Sequence, residues 1–291
     1  MKIDLYNVDS LEYIKTLPAK SIDAIITDPP YNILKHKLDR EVDYKEYSKE
    51  FNRVLKDDSV IVMFGLGALY FKWVAYLLEL GFNYRYEIIW DKVLKNGFML
   101  GINKQHENIV ILTKGNYKIN KTFIDVENLV WDTNTIINDV KKYISEAKRM
   151  KSVQELYDYL NTGEKILEKY TSIESCIYVG KLKYMSRYVS LYRKYSEGCL
   201  VPSILRIVKK HYKKGRKHPT EKPLNLIKIL VDLVKKDSDD FTILDPFMGC
   251  GNIIQVCKQY GINFIGCEID KEYFEIAKQQ LQEETLMQEA I

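Results

Sequence analysis

The stretch Ile22-Asp23-Ala24-Ile25-Ile26-Thr27-Asp28-Pro29-Pro30-Tyr31-Asn32 decides how the chain is read. It opens as a short apolar, β-branched run, the pattern of a buried strand. The run stops at a carboxylate, two prolines and an aromatic ring. Proline has no amide hydrogen to give to a ladder, so the strand ends there. Asp28 and Tyr31 are thereby set at the carboxyl edge of a sheet, where open α/β sheets hold their ligands. Taken alone, the same residues also describe an ordinary loop, because Asp-Pro is common turn chemistry. A second stretch, Asp245-Pro246-Phe247-Met248-Gly249-Cys250-Gly251-Asn252, tips the reading toward a site.

Strands and helices alternate outward from Asp28. Lys2 to Tyr6 reads as a strand, with Ser10 as the cap of a helix running to Leu17. Tyr44 to Leu55 is helical by spacing, since Tyr47, Phe51, Val54 and Leu55 share one face. Val60 to Phe64 is a continuous apolar strand, and Leu69 to Leu80 a helix closed by Gly81. Tyr84 to Trp90 and Asn108 to Thr113 read as two further strands. From Tyr117 to Leu200 the alternation lapses into a polar, Lys- and Tyr-rich segment of mostly helical period, which we read as an insertion. It resumes with a helix over Leu224 to Lys235, a strand over Phe241 to Asp245 and a helix over Gly251 to Tyr260. A strand over Asn263 to Cys267 and an amphipathic helix over Lys271 to Glu284 close the chain. Such alternation is that of a doubly wound α/β sheet. It divides the chain into residues 1–116, an insertion at 117–200, and residues 201–291.

With 291 residues, 46% hydrophobic and 29% charged, the composition is that of an ordinary globular protein. Five cysteines, at 176, 199, 250, 257 and 267, show neither metal-ligand spacing nor an even disulfide set. We expect reduced thiols in a cytoplasmic protein. Met1-Lys2-Ile3-Asp4-Leu5 lacks the apolar core of a signal peptide. The apolar stretch from Val60 to Phe82 is broken by Gly65, Gly67, Lys72 and Glu79, so a buried strand and helix are expected there rather than a membrane span.

Thr242-Ile243-Leu244-Asp245 is a strand that runs into a Gly-x-Gly turn and then a helix. The glycines allow a tight turn and close approach of a ligand to the backbone. Glu268 ends the next strand, where an acid can accept hydrogen bonds from ribose hydroxyls. Together these features point to a cofactor containing adenosine. Position 254 is Ile, so the full Gly-x-Gly-x-x-Gly pattern of pyrophosphate cofactors is absent.

Asp-Pro-Pro-Tyr at 28–31 and Asp-Pro-Phe-x-Gly-x-Gly at 245–251 together resemble the S-adenosylmethionine-dependent amino methyltransferases of DNA. Trp90-Asp91-Lys92, His106-Glu107 and His218-Pro219-Thr220-Glu221-Lys222-Pro223 add to the likeness, which covers residues 1 to about 115 and about 200 to 285. The Asp28 motif comes first, then the insertion, then the cofactor motif. This order is similar to the circularly permuted β group of the family. The resemblance implies a Rossmann-like doubly wound methyltransferase sheet, circularly permuted, with a mainly helical insertion that recognises the target. It implies S-adenosylmethionine as cofactor and double-stranded DNA as substrate. A cognate restriction endonuclease and a second copy of the chain are candidate partners. It places Asp245, Phe247, Gly249, Gly251, Asn252 and Glu268 at the cofactor. It assigns Thr220 and Lys222 to the methionine carboxylate, and Asp9 to the adenine of the cofactor. Lys222 also reads as a solvated surface lysine, and Asp9 as turn chemistry before a helix. Asn252 departs from the Thr or Ser usual at its position.

The catalytic residues are expected at Asp28, Pro29, Pro30 and Tyr31. An exocyclic amine is a poor nucleophile because its lone pair is delocalised into the ring. Two acceptors on its N–H groups, the Asp28 carboxylate and the Pro29 carbonyl, would localise that pair. Asp28 or water can then take the released proton. Tyr31 offers a ring face for a base that has been flipped from the duplex. Asp rather than Ser before Pro-Pro-Tyr favours adenine N6 within the family. Cytosine N4, a protein glutamine and a non-catalytic DNA-binding role remain as rivals.

Between Ser175 and Lys217 twelve Lys and Arg face one acid, Glu197, a balance of +11 against +4 for the whole chain. Such asymmetry marks a polyanion-binding face. Lys209, Lys210, Lys213 and Lys214 are the expected phosphate contacts. Changing all four to Ala should flatten the log–log dependence of DNA affinity on salt, by about 0.9 for each phosphate that the variant no longer touches. The sequence preference should not change. An unaltered salt slope in a binding titration would assign these lysines to a solvated face.

Overall fold

The computed structural model describes residues 1–32, 41–92, 105–124, 199–207 and 222–289. The chain divides into two units: Met1–Thr122 with Val201–Ile291, and Phe123–Leu200. The first is built on an eight-stranded sheet. Its strands are β1 (Ile3–Tyr6), β2 (Ile22–Thr27), β3 (Leu55–Gly65), β4 (Asn83–Asp91), β5 (His106–Lys114), β8 (Ile204–Arg206), β9 (Thr242–Asp245) and β10 (Asn263–Cys267). The helices among the described residues are α1 (Ser10–Thr16), α2 (Tyr44–Val54), α3 (Gly67–Glu79), α4 (Leu224–Val234), α5 (Asn252–Tyr260) and α6 (Lys271–Glu289). In the second unit, β6 (Phe123–Ile124) and β7 (Cys199–Leu200) form a two-stranded antiparallel sheet. The helical period expected for the rest of the insertion falls on 125–198, outside the described residues.

The strand order is β1-β10-β9-β2-β3-β5-β4-β8. The first five are parallel neighbours, β5 is antiparallel to both β3 and β4, and β8 lies parallel to β4. From β2 the chain passes through α2 to β3 on one side. From β9 it passes through α5 to β10 on the other. The β2–β9 pair is therefore the topological switch point, where a crevice opens beyond the carboxyl ends of the strands.

Alternation along the strands divides the core. Ile25, Ile61, Met63, Val110, Leu112 and Leu244 pack with α1, α2 and α3 around Tyr47, Phe51 and Trp73. The residues between them, among them Ala24, Ile26, Val60, Val62 and Ile243, point the other way and are equally buried. Both faces of the sheet are thus covered, which is why the parallel strands read as continuous apolar runs. The Val60–Phe82 stretch is the end of β3 followed by α3, and no helix among the described residues is long and apolar enough to cross a membrane.

Three local expectations change. The cap of α1 is Asp9, whose carboxylate accepts the Leu11 amide at 2.9 Å. Ser10 is instead the first helical residue, and its buried hydroxyl pairs with the Tyr47 hydroxyl at 2.8 Å. β3 starts five residues early, at Leu55, because Leu55 pairs with Ile22 before the register shifts to Val60 opposite Ala24. Residues 117–122 belong to the first unit rather than to the insertion. The buried Tyr117 hydroxyl donates to the Val234 carbonyl, and the Asn120 side chain donates to Asp232 and Lys235 at the end of α4.

Phe51 is fully buried and stacks on Trp73 with ring centroids 5.7 Å apart. Phe51→Ala should lower unfolding stability by about 3–5 kcal/mol, the cost of an unfilled aromatic site in a packed core. Urea denaturation checks this, and a loss near 1 kcal/mol would mean that the helices collapse readily into the cavity.

Candidate active site

The ends of β2 and β9 are tied together. The Thr27 hydroxyl donates to Asp245 Oδ1 at 2.8 Å, and the Phe247 amide donates to the same oxygen at 3.0 Å. Asp28 and the glycine turn consequently leave the sheet side by side at the switch point.

On the β2 side, the Tyr31 hydroxyl donates to Asp28 Oδ1. Lys222 Nζ lies 2.5 Å from Asp28 Oδ2 and 2.8 Å from Glu107 Oε2. Lys92 Nζ lies 2.6 Å from the other oxygen of Glu107. The result is a row of alternating charge, Asp28, Lys222, Glu107, Lys92. Its inner members are almost closed to solvent, with 8% of the Lys222 side chain and 10% of Glu107 exposed. Rings surround the Lys222 ammonium, with the centroids of Phe64, Trp90 and Tyr31 at 4.9, 5.8 and 5.9 Å.

Strand direction explains how these residues meet. β5 is antiparallel to β3, with Asn108 opposite Gly65, so the start of β5 reaches the same edge as the end of β3. Glu107 stands at that start, opposite Trp90 near the end of β4. Lys92 follows β4 directly. Trp90 itself is core, and its indole N–H donates to the Ile207 carbonyl at 2.9 Å.

The array separates the two carboxylates. Burial opposes ionisation of Glu107, but the ammonium groups of Lys222 and Lys92 outweigh it and hold the carboxyl at about 2. Burial pushes Asp28 above the ordinary range, with Glu107 adding to the rise while Lys222 and Tyr31 pull against it. Burial also works against the charge on Lys222, yet Asp28 and Glu107 together hold its ammonium above the ordinary value. Asp28 is therefore the basic member of the pair, and Glu107 a fixed anion.

On the β9 side, Gly249 and Gly251 hold φ of +56° and +87°, the left-handed region that a side chain disfavours. A Cβ at Gly251 would sit 2.5 Å from Ile254 Cδ1. Glu268 accepts the Gly249 amide at 3.0 Å through one oxygen and the Asp270 amide at 2.7 Å through the other. It therefore shapes the turn, and the carboxylate can still accept from a hydroxyl. The Asn7 side chain donates to the Glu268 carbonyl at 2.8 Å, which brings the Asp9 loop to the same edge. A bare glycine backbone beside an acid that ends the neighbouring strand suits an adenosine-bearing cofactor. Phe247 packs on Tyr47 with centroids 5.1 Å apart.

Two expected ligands are already engaged by the protein itself. Lys222 is not a solvated surface lysine, because its buried ammonium is held by Asp28 and Glu107. Asn252 is buried and donates from Nδ2 to the Lys222 carbonyl at 2.5 Å, so it pins the chain that carries that ammonium. Thr220 and the four lysines at 209, 210, 213 and 214 lie outside the described residues. Glu107 and Lys92 were visible only as parts of motifs, and their pairing needs the strand directions.

Burial raises Asp245 from the ordinary 3.8 to about 7. The folded protein then keeps a proton that the unfolded chain gives up. This part of the stability is complete below the unfolded value and is lost as pH rises toward the folded one. Asp245→Asn keeps an oxygen for both Thr27 and Phe247. The variant's stability, measured by urea unfolding between about pH 4 and 7, should fall less with pH than that of the parent. Parallel curves would show that Asp245 is ionised throughout.

The family model for DNA methylase, N6_N4_Mtase, matches residues 22–279. The type II methyltransferase M.HpaI of Haemophilus parainfluenzae is 26% identical, over 95% of this chain and 73% of its own. The DNA adenine methyltransferase YhdJ of Escherichia coli is 24% identical, over 94% of this chain and 80% of its own. The crystal structure of an M1.HpyAVI–SAM complex shares the fold, with a TM-score of 0.54 and 22% identity over 96% of this chain and all of that one. With a match that runs from the strand leading into Asp28 to the last helix, the chain belongs to the N6_N4_Mtase family of DNA methylases.

Proposed function

We propose that the protein is a site-specific, S-adenosylmethionine-dependent DNA methyltransferase acting on the N6 amino group of adenine. One observation carries this reading. Asp28, a carboxylate made basic by its surroundings, stands across the β2–β9 switch point from the glycine turn. A nucleophile's acceptor and a cofactor cradle are thus adjacent, within a family of DNA methylases.

The chemistry follows from what each residue does. Asp28 and the Pro29 carbonyl accept the two N–H bonds of a flipped adenine and return its lone pair to the nitrogen. Asp28 takes the proton released as the nitrogen is methylated, a task that its raised basicity suits. Tyr31 fixes one oxygen of Asp28 through its hydroxyl and offers its ring to the base. Asp245, Phe247, Gly249, Gly251, Glu268 and Asp9 would hold the cofactor, which supplies a methyl group already activated on a sulfonium. Holding the two reactants in line then carries much of the rate. The second unit and the basic residues between 175 and 217 serve as target recognition and phosphate grip. The chain works in the cytoplasm on double-stranded DNA. A cognate endonuclease and a second copy of the chain are the partners proposed for it. Asp before Pro-Pro-Tyr and the likeness to YhdJ favour adenine over cytosine.

Tritium transfer from labelled cofactor to DNA, with single-molecule sequencing of the product, tests the reading. Adenine N6 should carry the methyl group within one short sequence. Asp28→Ala should abolish transfer while calorimetry finds cofactor affinity within a few-fold of the parent. Label on cytosine would transfer the assignment to N4, and near-normal turnover by the variant would remove Asp28 from the mechanism.

A further inference from the structure

Asp28 has a task with which its present contacts compete. An adenine amino group bound to it needs a carboxylate oxygen. Tyr31 holds Oδ1, and Lys222 holds Oδ2 at 2.5 Å. The Lys222 ammonium, walled by the rings of Phe64, Trp90 and Tyr31, presents an N–H to Asp28 much as an amino group on a stacked base would.

We infer that Lys222 and Glu107 are a positioning pair for Asp28: Lys222 holds the carboxylate ionised and aimed until the base arrives, and Glu107 retains the ammonium when the amino group takes its place on Oδ2. The identity of the arriving group rests on the function proposed above. The electrostatic part does not.

Charge balance supports the exchange. Lys222 already touches Glu107 at 2.8 Å, so leaving Asp28 does not strand it in an apolar box. Glu107 is also held by Lys92 at 2.6 Å, so it stays anionic and in place throughout. The four charges sum to zero, which offsets the cost of burying them, whereas removing one would leave its neighbour unpaired. Charged or titratable groups reach Asp28 from each neighbouring element. They are Tyr31 from its own loop, Glu107 from β5, Lys92 behind Glu107 after β4, Lys222 before α4, and Asp245 from β9. Lys222 is the cation that pairs directly with Asp28 among the described residues. The backbone of Lys222 is fixed as well, because the Asn252 side chain binds its carbonyl from the first residue of α5. The exchange therefore has to occur by a swing of the long side chain, with the chain itself held to the cofactor turn.

The test reads Asp28 directly. Carboxyl-¹³C NMR titration of the ligand-free protein, with the Asp28 signal assigned by Asp28→Asn, requires neither DNA nor cofactor. Lys222→Met should move the Asp28 titration to higher pH, because the cation that favours its charge is gone. Glu107→Gln should move it to lower pH, because a repelling anion is gone. The double variant, which removes one charge of each sign, should fall between the two and guards against misfolding of either single. The acid limb of kcat/KM for DNA should follow in the same directions, since Asp28 must be ionised to accept the amino group. Cofactor affinity should stay put. Titrations that move the same way in both variants, or in neither, overturn the pair. Opposite shifts in a protein that transfers no methyl to DNA would uphold the pair and overturn the proposed function instead.

Discussion

An ammonium buried between two carboxylates is the contact on which the arrangement of this site depends. Neither acid could sit alone at that depth in its charged form without a large desolvation cost. Lys222 resolves this for both, and Lys92 supplies the fourth charge that makes the set neutral. The asymmetry of the row matters more than its presence. Glu107 has two cations and is held near 2, while Asp28 has one, and burial raises it. Two acids of nearly equal intrinsic strength thereby become an anchor and a base.

The sheet brings these four charges together from sequence positions far apart. Asp28 follows a parallel strand, where a carboxyl end is expected to carry function. Glu107 begins a strand that runs the other way, and antiparallel pairing is what delivers the start of a strand to the edge where its neighbours end. Lys92 arrives at the end of β4, and Lys222 on the segment that leads into α4. The single reversal at β5 thus adds Glu107 to the side chains that reach the crevice. On the other side of the switch point the same edge gathers Asp245, the glycine turn and Glu268 from consecutive parallel strands.

Local features were legible in the sequence, and features made by pairing were not. The strand that ends in Asp28-Pro29-Pro30-Tyr31 and the strand that ends in Asp245 before Gly249 and Gly251 each announce themselves within about ten residues. Their apolar runs, prolines and glycines act on the backbone where they stand. The charge row could not be read, because it depends on β5 being antiparallel and on a register that sets Glu107 opposite Trp90. Lys222, next to a proline in a polar stretch, carries the signature of a surface residue, and only its depth reveals otherwise. The cap of α1 lies one residue before the expected Ser10 for a similar reason. Ser10 and Asp9 are both good caps, and a tertiary contact, Ser10 with Tyr47, decided between them.

Asn252 shows how a departure from a family pattern can be explained by reach. A Ser or Thr at the first residue of α5 would carry a hydroxyl close to its own backbone. The longer amide of Asn extends to the Lys222 carbonyl and leaves its oxygen near the Cys250 thiol, 3.6 Å away. The turn that would cradle the cofactor is therefore tied to the residue that holds Asp28. Because the link runs through the backbone of Lys222 and the charge contact through its side chain, the turn constrains where the ammonium can swing without sharing its charge. In this chain one lysine joins the two halves of the crevice beside the Thr27–Asp245 bond, held at its carbonyl by the cofactor side and at its nitrogen by the catalytic side.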